Sequence, residues 1–296
     1  MKKFVSLTLA LVALLALAGC SLPQPKHWSV GTGEIKIVAS TNVWGSVANL
    51  VAGRLATVDA IIFNSTQDPH SYELTARDQL LINNADIVIM NGGGYDDFMK
   101  QAVSADPTPA LVVNAFQASG VDPTRNEHIW YDVDQAPEVA SAIGAAIVAV
   151  KHSSGAEVEA QVIDFREKIS ERKAHLEALR AAPKAVFLTE PLITYLVEDA
   201  GYADLTPSAF SEAVEEERDI PPTVLKEATD ILSSGKVEIL CVTVNTETAQ
   251  IKALENFNVA EARFSELLNQ HEDNYEITGD YFDMLDSAIG MLGYHD

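Results

Sequence analysis

The sequence predicts an α/β protein of two lobes, each with a mainly parallel sheet, joined by a long rigid helix. Three observations lead there. Short apolar runs of strand type alternate with helical patterns from residue 34 to 135, and the alternation restarts at Lys184. Between them stands a long helical stretch rich in Ala, Glu, Leu and Lys. Strands separated by helices imply parallel pairing, because a parallel neighbour needs a crossover long enough to hold a helix.

The elements follow in chain order. Lys2 and Lys3 precede an apolar run from Phe4 to Ala18, and "LAGC" closes it at Cys20. A basic start, a short apolar run and small residues at its end make a secretory signal, too short for a membrane span. The cysteine directly after Leu-Ala-Gly resembles a bacterial lipobox, with residues 1–19 removed and Cys20 lipidated on its thiol. More than one acyl chain would hold the protein at a membrane surface without a spanning helix. Residues 20–33, with prolines and glycines in "SLPQPKHWSVGTG", read as a tether.

The first lobe, 34–135, carries the strand runs "IKIVAS", "VDAIIF", "DIVIM" and "ALVVN". Its helices lie in "VWGSVANLVAG", "TARDQLLINN" and "YDDFMKQAV". The linking helices, 136–182, run from Ala136 to Val150 and from Glu157 to Arg180, broken by "HSSG". At 1.5 Å per residue the second would span roughly 36 Å, a stiff connection that limits hinge motion. The second lobe, 183–296, holds "KAVFLT", "PPTVLKEATDILSSG", "VEILCVTV", "TETAQIKALENF" and a last helix from about Asp280.

Composition narrows the function. A formal net charge of −23 argues against nucleic acid or anionic lipid as a partner. Most of these carboxylates read as a solvated surface. With Cys20 lipidated, Cys241 in "VEILCVTV" has no partner, so no disulfide framework is expected and Cys241 reads as a small core residue.

In open α/β sheets, ligand sites form in loops beyond the carboxyl ends of the strands. Those loops hold four metal-competent residues. His70 stands in "DPHSYE" after "VDAIIF", and His128 in "NEHIWYD" beyond "ALVVN". Glu190 directly follows "KAVFLT", and Asp280 opens the last helix in "ITGDYFDML". Singly, each has a structural account: a turn histidine, a carboxylate favoured by a helix dipole at Glu190, an N-cap at Asp280. Together, two imidazoles and two carboxylates suit a divalent transition metal. Asp68-Pro69 would set an extended turn that presents His70, since the residue before proline is held out of the helical region. Glu198 is expected to be a solvated helix residue.

The lipobox, "DPHSYELTARD", "NGGGYDDFM", "NEHIWYD", "TEPLITYL" and "GDYFDML" resemble the metal-binding solute-binding lipoproteins of zinc/manganese ABC importers, of the cluster A-I type. The resemblance runs through nearly the whole mature chain. It implies that His70 and His128 are the two histidine ligands, Glu190 the third ligand and Asp280 the late carboxylate. It further implies Mn²⁺ or Zn²⁺ as transported ligand, a lipid anchor on the extracytoplasmic face of the cell membrane, a monomer, and an ABC permease with its ATPase as partners. Zinc-specific members often carry a histidine-rich loop and a third histidine. Here "AFQASGVDPTR" has no histidine and Glu190 takes the third position, closer to manganese- or iron-binding members. Intrinsic affinities still favour Zn²⁺ over Mn²⁺ at most such sites, which leaves the metal open.

Three other readings compete, and the first, a purely adhesive or structural lipoprotein, explains the anchor but not the four converging ligands. A siderophore- or cobalamin-binding protein of similar architecture would need an aromatic or Arg-lined cleft. A metal-dependent hydrolase would need an open coordination position and a placed base. No His-Glu-x-x-His occurs, since "HEDNY" at His271 lacks the second histidine, so the chain is not read as an enzyme.

Overall fold

The computed structural model describes residues 28–64, 67–105, 109–216, 218–246, 248–268 and 279–293. The signal segment and Cys20 lie outside the described residues. The first sheet contains β1 (Trp28–Gly31), β2 (Ile35–Thr41), β3 (Ala56–Ile62), β4 (Ile87–Met90) and β5 (Leu111–Asn114) in the order β1-β3-β2-β4-β5. All neighbours are parallel except β1, which runs antiparallel to β3 with Trp28 opposite Ala60.

That edge strand takes in residues 28–31 of the stretch read as a tether, of which residues 20–27 lie outside the described residues. Trp28 is buried, and its ring lies where a Cβ on Gly45 would come within 2.4 Å. Removing this indole from water outweighs the freedom suggested by the flanking Pro and Gly.

The lobe's helices are α1 (Asn42–Ala52), α2 (Ala76–Asn83), α3 (Asp97–Ala105) and α4 (Ala115–Ser119). Thr41 caps α1 by accepting from Trp44 N, and most of α1 is buried, as a helix enclosed on nearly every side must be. Thr75 and Asp78 form a reciprocal capping box on α2.

The link consists of α5 (Ala136–Val150) and α6 (Gly155–Leu179), the latter 25 residues and so about 37 Å long. The second sheet is all parallel, β7-β6-β8-β9, from β6 (Ala185–Leu188), β7 (Ala203–Asp204), β8 (Ile239–Thr243) and β9 (Ala260–Phe264). Around it lie α7 (Thr194–Asp199), α8 (Ser208–Glu215), α9 (Pro222–Ser233), α10 (Ala249–Leu254) and α11 (Tyr281–Gly293). β7, β9 and α8 have no counterpart in the sequence reading; each is short or carries mixed polarity. Cys241 is buried in β8, where burial pushes its thiol pKa up.

One apolar core runs through both lobes and α6, joining Trp44, Ile37, Phe165, Leu176, Val186 and Leu188. Polar seams reinforce it. Asn42 exchanges hydrogen bonds with the backbone of Leu268, Tyr131 Oη donates to the Ser265 carbonyl at 2.8 Å, and Tyr281 Oη donates to the Trp130 carbonyl at 2.7 Å. Arg125 forks onto Glu198 across the lobes and lies over the Tyr195 ring. Glu198 is exposed on α7, as expected of a solvated helix residue, and there it pairs with Arg125.

Candidate metal centre

β3 ends into the turn that carries His70. Asp68 accepts from His70 N at 3.0 Å and from the Ser71 hydroxyl, so the turn is closed by its own side chain. His70 itself is exposed. His128 stands at the entry to a 3-10 turn over Ile129–Tyr131, with its backbone N–H held by Asn126 Oδ1 at 2.6 Å. Its ring is fully buried, and neither ring nitrogen has a hydrogen-bond partner. Burial, with a smaller contribution from the His70 charge, lowers its pKa to about 3. The imidazole is thus neutral at any physiological pH, which is the form that coordinates metal.

Both rings meet Tyr95 edge-on, at 5.0 Å for His70 and 5.7 Å for His128, and Trp130 packs against both Tyr95 at 4.8 Å and His128 at 5.1 Å. Tyr95 is positioned by the glycine loop before it. Gly92 has φ 78°, and a Cβ there would come within 2.4 Å of Asn114 Oδ1. Asp96 ties the loop down through the N–H groups of Asn91 and Gly92, and the Asn91 side chain reaches the Glu127 carbonyl at 3.0 Å. "NGGGYDD" is therefore a positioning loop for the aromatic wall behind the histidines.

Glu215, the last residue of α8, completes the cluster. One ligand atom from each of His70, His128 and Glu215 lies within 4.8 Å of the other two, with His128 Nε2 3.8 Å from Glu215 Oε1. Neither Glu215 oxygen makes a hydrogen bond of normal geometry. Glu190 stands beside this trio. It is buried, and its Oε2 accepts from Thr246 Oγ1 at 2.6 Å. Burial pushes its pKa up to about 7 against the opposing hydrogen bonds of Thr246 and Thr243, with Asp68 and Glu127 adding to the rise. Glu215 is pushed higher still, by burial first and then by the charges of Glu190 and Glu127. Glu266, buried as well, accepts from Tyr95 Oη at 3.0 Å. This density of carboxylates without a counter-cation is costly unless protons or a metal neutralise it.

Of the four sequence candidates, the structure brings His70 and His128 together and places Glu190 next to them. It does not bring Asp280 to the cluster. Asp280 Oδ1 accepts from the N–H groups of Phe282 at 2.8 Å and Asp283 at 3.2 Å, which caps α11. Tyr95 and Glu215 are the residues that sequence reasoning missed as site members. Tyr95 lies inside a quoted motif, whereas Glu215 sits in "SEAVEEERD", where nothing distinguishes one glutamate from the next. A cleft of about 550 Å³ borders the cluster. It is walled by Asp68 and Pro69 on one lobe and by Thr246 and Glu266 on the other.

The family described as zinc-uptake complex component A, periplasmic, matches residues 37–292. The chain belongs to that family. It is accordingly a metal-binding solute-binding protein of the importer type and not an enzyme. The manganese-binding lipoprotein MntA of Halalkalibacterium halodurans is 25% identical over 212 residues, covering 67% of each chain. Solved structures share the fold. The periplasmic zinc-binding protein TroA of Treponema pallidum has a TM-score of 0.74 at 15% identity, over 89% of this chain and 99% of that one. An Mn-bound mutant of a periplasmic metal-binding protein from Candidatus Liberibacter asiaticus reaches 0.73 at 17% identity, over 89% and 100%. Among the described residues of this zinc-uptake family member, no helix is long and apolar enough to cross a membrane.

Proposed function

We propose that this protein is the extracytoplasmic, lipid-anchored binding component of an ABC importer. It captures Mn²⁺ or Zn²⁺ between its lobes and delivers the ion to a membrane permease. The observation that carries this reading is His128: a fully buried imidazole with both nitrogens unpartnered, with ligand atoms of His70 and Glu215 within 4.8 Å. An unsatisfied buried polar group costs about 1–3 kcal/mol, and a metal bond offsets that cost. The cleft lining includes a single arginine, Arg218, and no aromatic ring among the described residues, which disfavours a bulky siderophore or cobalamin.

His70, His128 and Glu190 are the ligands in this reading, with Asp280 the late carboxylate once its hold on the first turn of α11 is loosened. Elemental analysis of protein purified without added metal, beside Mn²⁺ and Zn²⁺ titration of chelator-treated protein, tests it. Protein that carries no transition metal and binds neither ion would sink it.

Glu190 is proposed to tune metal preference. A carboxylate binds through one or two oxygens and so suits the higher coordination number of Mn²⁺, while imidazole offers one softer nitrogen. Glu190→His should lower Mn²⁺ affinity far more than Zn²⁺ affinity, and Glu190→Ala should weaken both. An unchanged Mn²⁺/Zn²⁺ affinity ratio in Glu190→His, read by paired titrations, would remove Glu190 from this role.

The lipid anchor on Cys20 rests on "LAGC" after the apolar run. Cys20→Ser should release the protein from membranes or leave its precursor uncut. A variant that fractionates and matures like wild type would contradict the anchor.

A further inference from the structure

We infer that Glu215 is a metal ligand, contributed by α8, and that coordination through it ties the second lobe to the two histidines of the first. The inference rests on reading this cluster as a metal site. It adds a residue that lies in no motif and in no strand-end loop.

Geometry carries it. Of the carboxylates among the described residues, Glu215 is the one whose oxygen falls within 4.8 Å of a ligand nitrogen on both His70 and His128. Its competitors are engaged elsewhere: Glu190 Oε2 with Thr246, Glu266 Oε2 with Tyr95, Asp280 Oδ1 with the first turn of α11. Neither Glu215 oxygen makes a hydrogen bond of normal geometry, the Glu127 carboxyl being the acidic group close enough to share a proton with it, and neither nitrogen of the fully buried His128 ring has a partner. Two opposed, unpartnered groups of complementary metal chemistry, with walls of Tyr95 and Trp130 around them, define a space that a divalent cation fills. A hydrogen-bonded pair is not the alternative, since the 3.8 Å separation exceeds hydrogen-bond distance.

The test uses the mature protein with Mn²⁺ for affinity and Co²⁺ as a spectroscopic probe. Glu215→Gln keeps the shape and removes the charge, Glu215→Asp draws the carboxylate back, and Glu216→Gln serves as an exposed neighbour. Glu215→Gln should weaken Mn²⁺ binding by at least roughly 10-fold and change the visible Co²⁺ absorption bands, which report ligand number and type. Glu215→Asp should fall between it and wild type, and Glu216→Gln should match wild type. Weakened binding with an unchanged Co²⁺ spectrum would show a merely positional residue and overturn the assignment. So would wild-type affinity and spectrum in Glu215→Gln, while leaving the metal site itself intact. Absence of Mn²⁺ and Co²⁺ binding in wild type would take down both readings. If Glu215→Gln does not fold, the Co²⁺ spectrum of Glu215→Asp decides, an unchanged spectrum counting against.

Discussion

His128→Ala should abolish tight Mn²⁺ and Zn²⁺ binding and erase the metal-dependent rise in melting temperature. The expectation follows from what the ring does in the folded chain. It is fully buried, is held neutral by a pKa lowered to about 3, and has no hydrogen-bond partner. No proton has to leave it before a metal enters, so it contributes its full ligand strength near neutral pH. Metal at 1,000 times its dissociation constant stabilises the folded state by about 4 kcal/mol. At about 2 °C or more per kcal/mol for a chain of this size, wild type should gain roughly 8 °C. The variant should gain nothing. Its metal-free melting point should move less, because losing ring contacts with Tyr95 and Trp130 is partly offset by losing two unsatisfied nitrogens. Thermal melts of chelator-treated wild type and variant, with and without each metal, decide the matter. A wild-type shift in His128→Ala would remove His128 from the ligand set.

The metal-free protein should be more stable near pH 6 than near pH 8, and saturating metal should reverse that order. Glu190 is pushed up to about 7 and Glu215 beyond it, both mainly by burial. The folded chain therefore holds protons that the unfolded chain sheds above about 4.5. Stability must fall as pH rises from that value through neutrality, by up to about 1.4 kcal/mol per pH unit for each such proton. Asp199, raised to about 6 chiefly by burial, acts with the same sign at the lower end. His128 works the other way, but only below about 6.5. There the unfolded chain takes up a proton that the folded one refuses, so stability falls as pH drops toward 3. Between pH 6 and pH 8 the carboxylates dominate, so metal-free stability falls across that range. Metal inverts the trend because coordinating carboxylates must be ionised, so its stabilisation grows with pH. Urea unfolding at pH 6, 7 and 8, in chelator and in excess Mn²⁺, measures both arms. Metal-free stability that is flat or rises toward pH 8 would show that the carboxylates are not held protonated in the fold.

How far the site is legible in the sequence differs from residue to residue. His70 is legible because its signal is local: an apolar strand run, then Asp-Pro, then the histidine, with Asp68 closing the turn on its own backbone. His128 is legible for a similar reason, with Asn126 two residues upstream holding its N–H. Asp280 is equally local: the short-range pattern that marks it is that of an N-cap, and its Oδ1 accepts from the first turn of α11. Glu215 is the opposite case. In a run of glutamates at the end of an eight-residue helix, its neighbours in sequence hold no information about the histidines it meets.

By itself the sequence determined the α/β class, the two lobes, the long linking helix and the two histidines. Hydrophobic period and turn chemistry act over a few residues, and those features are written at that range. Only the tertiary structure decided that Trp28 joins the first sheet, that Tyr95 walls the histidines, that Arg125 fastens Glu198 across the lobes, and that Glu215 is the carboxylate facing both imidazoles. Each of these depends on packing between segments far apart in the chain, where burial and like charge select one carboxylate among many that are locally indistinguishable.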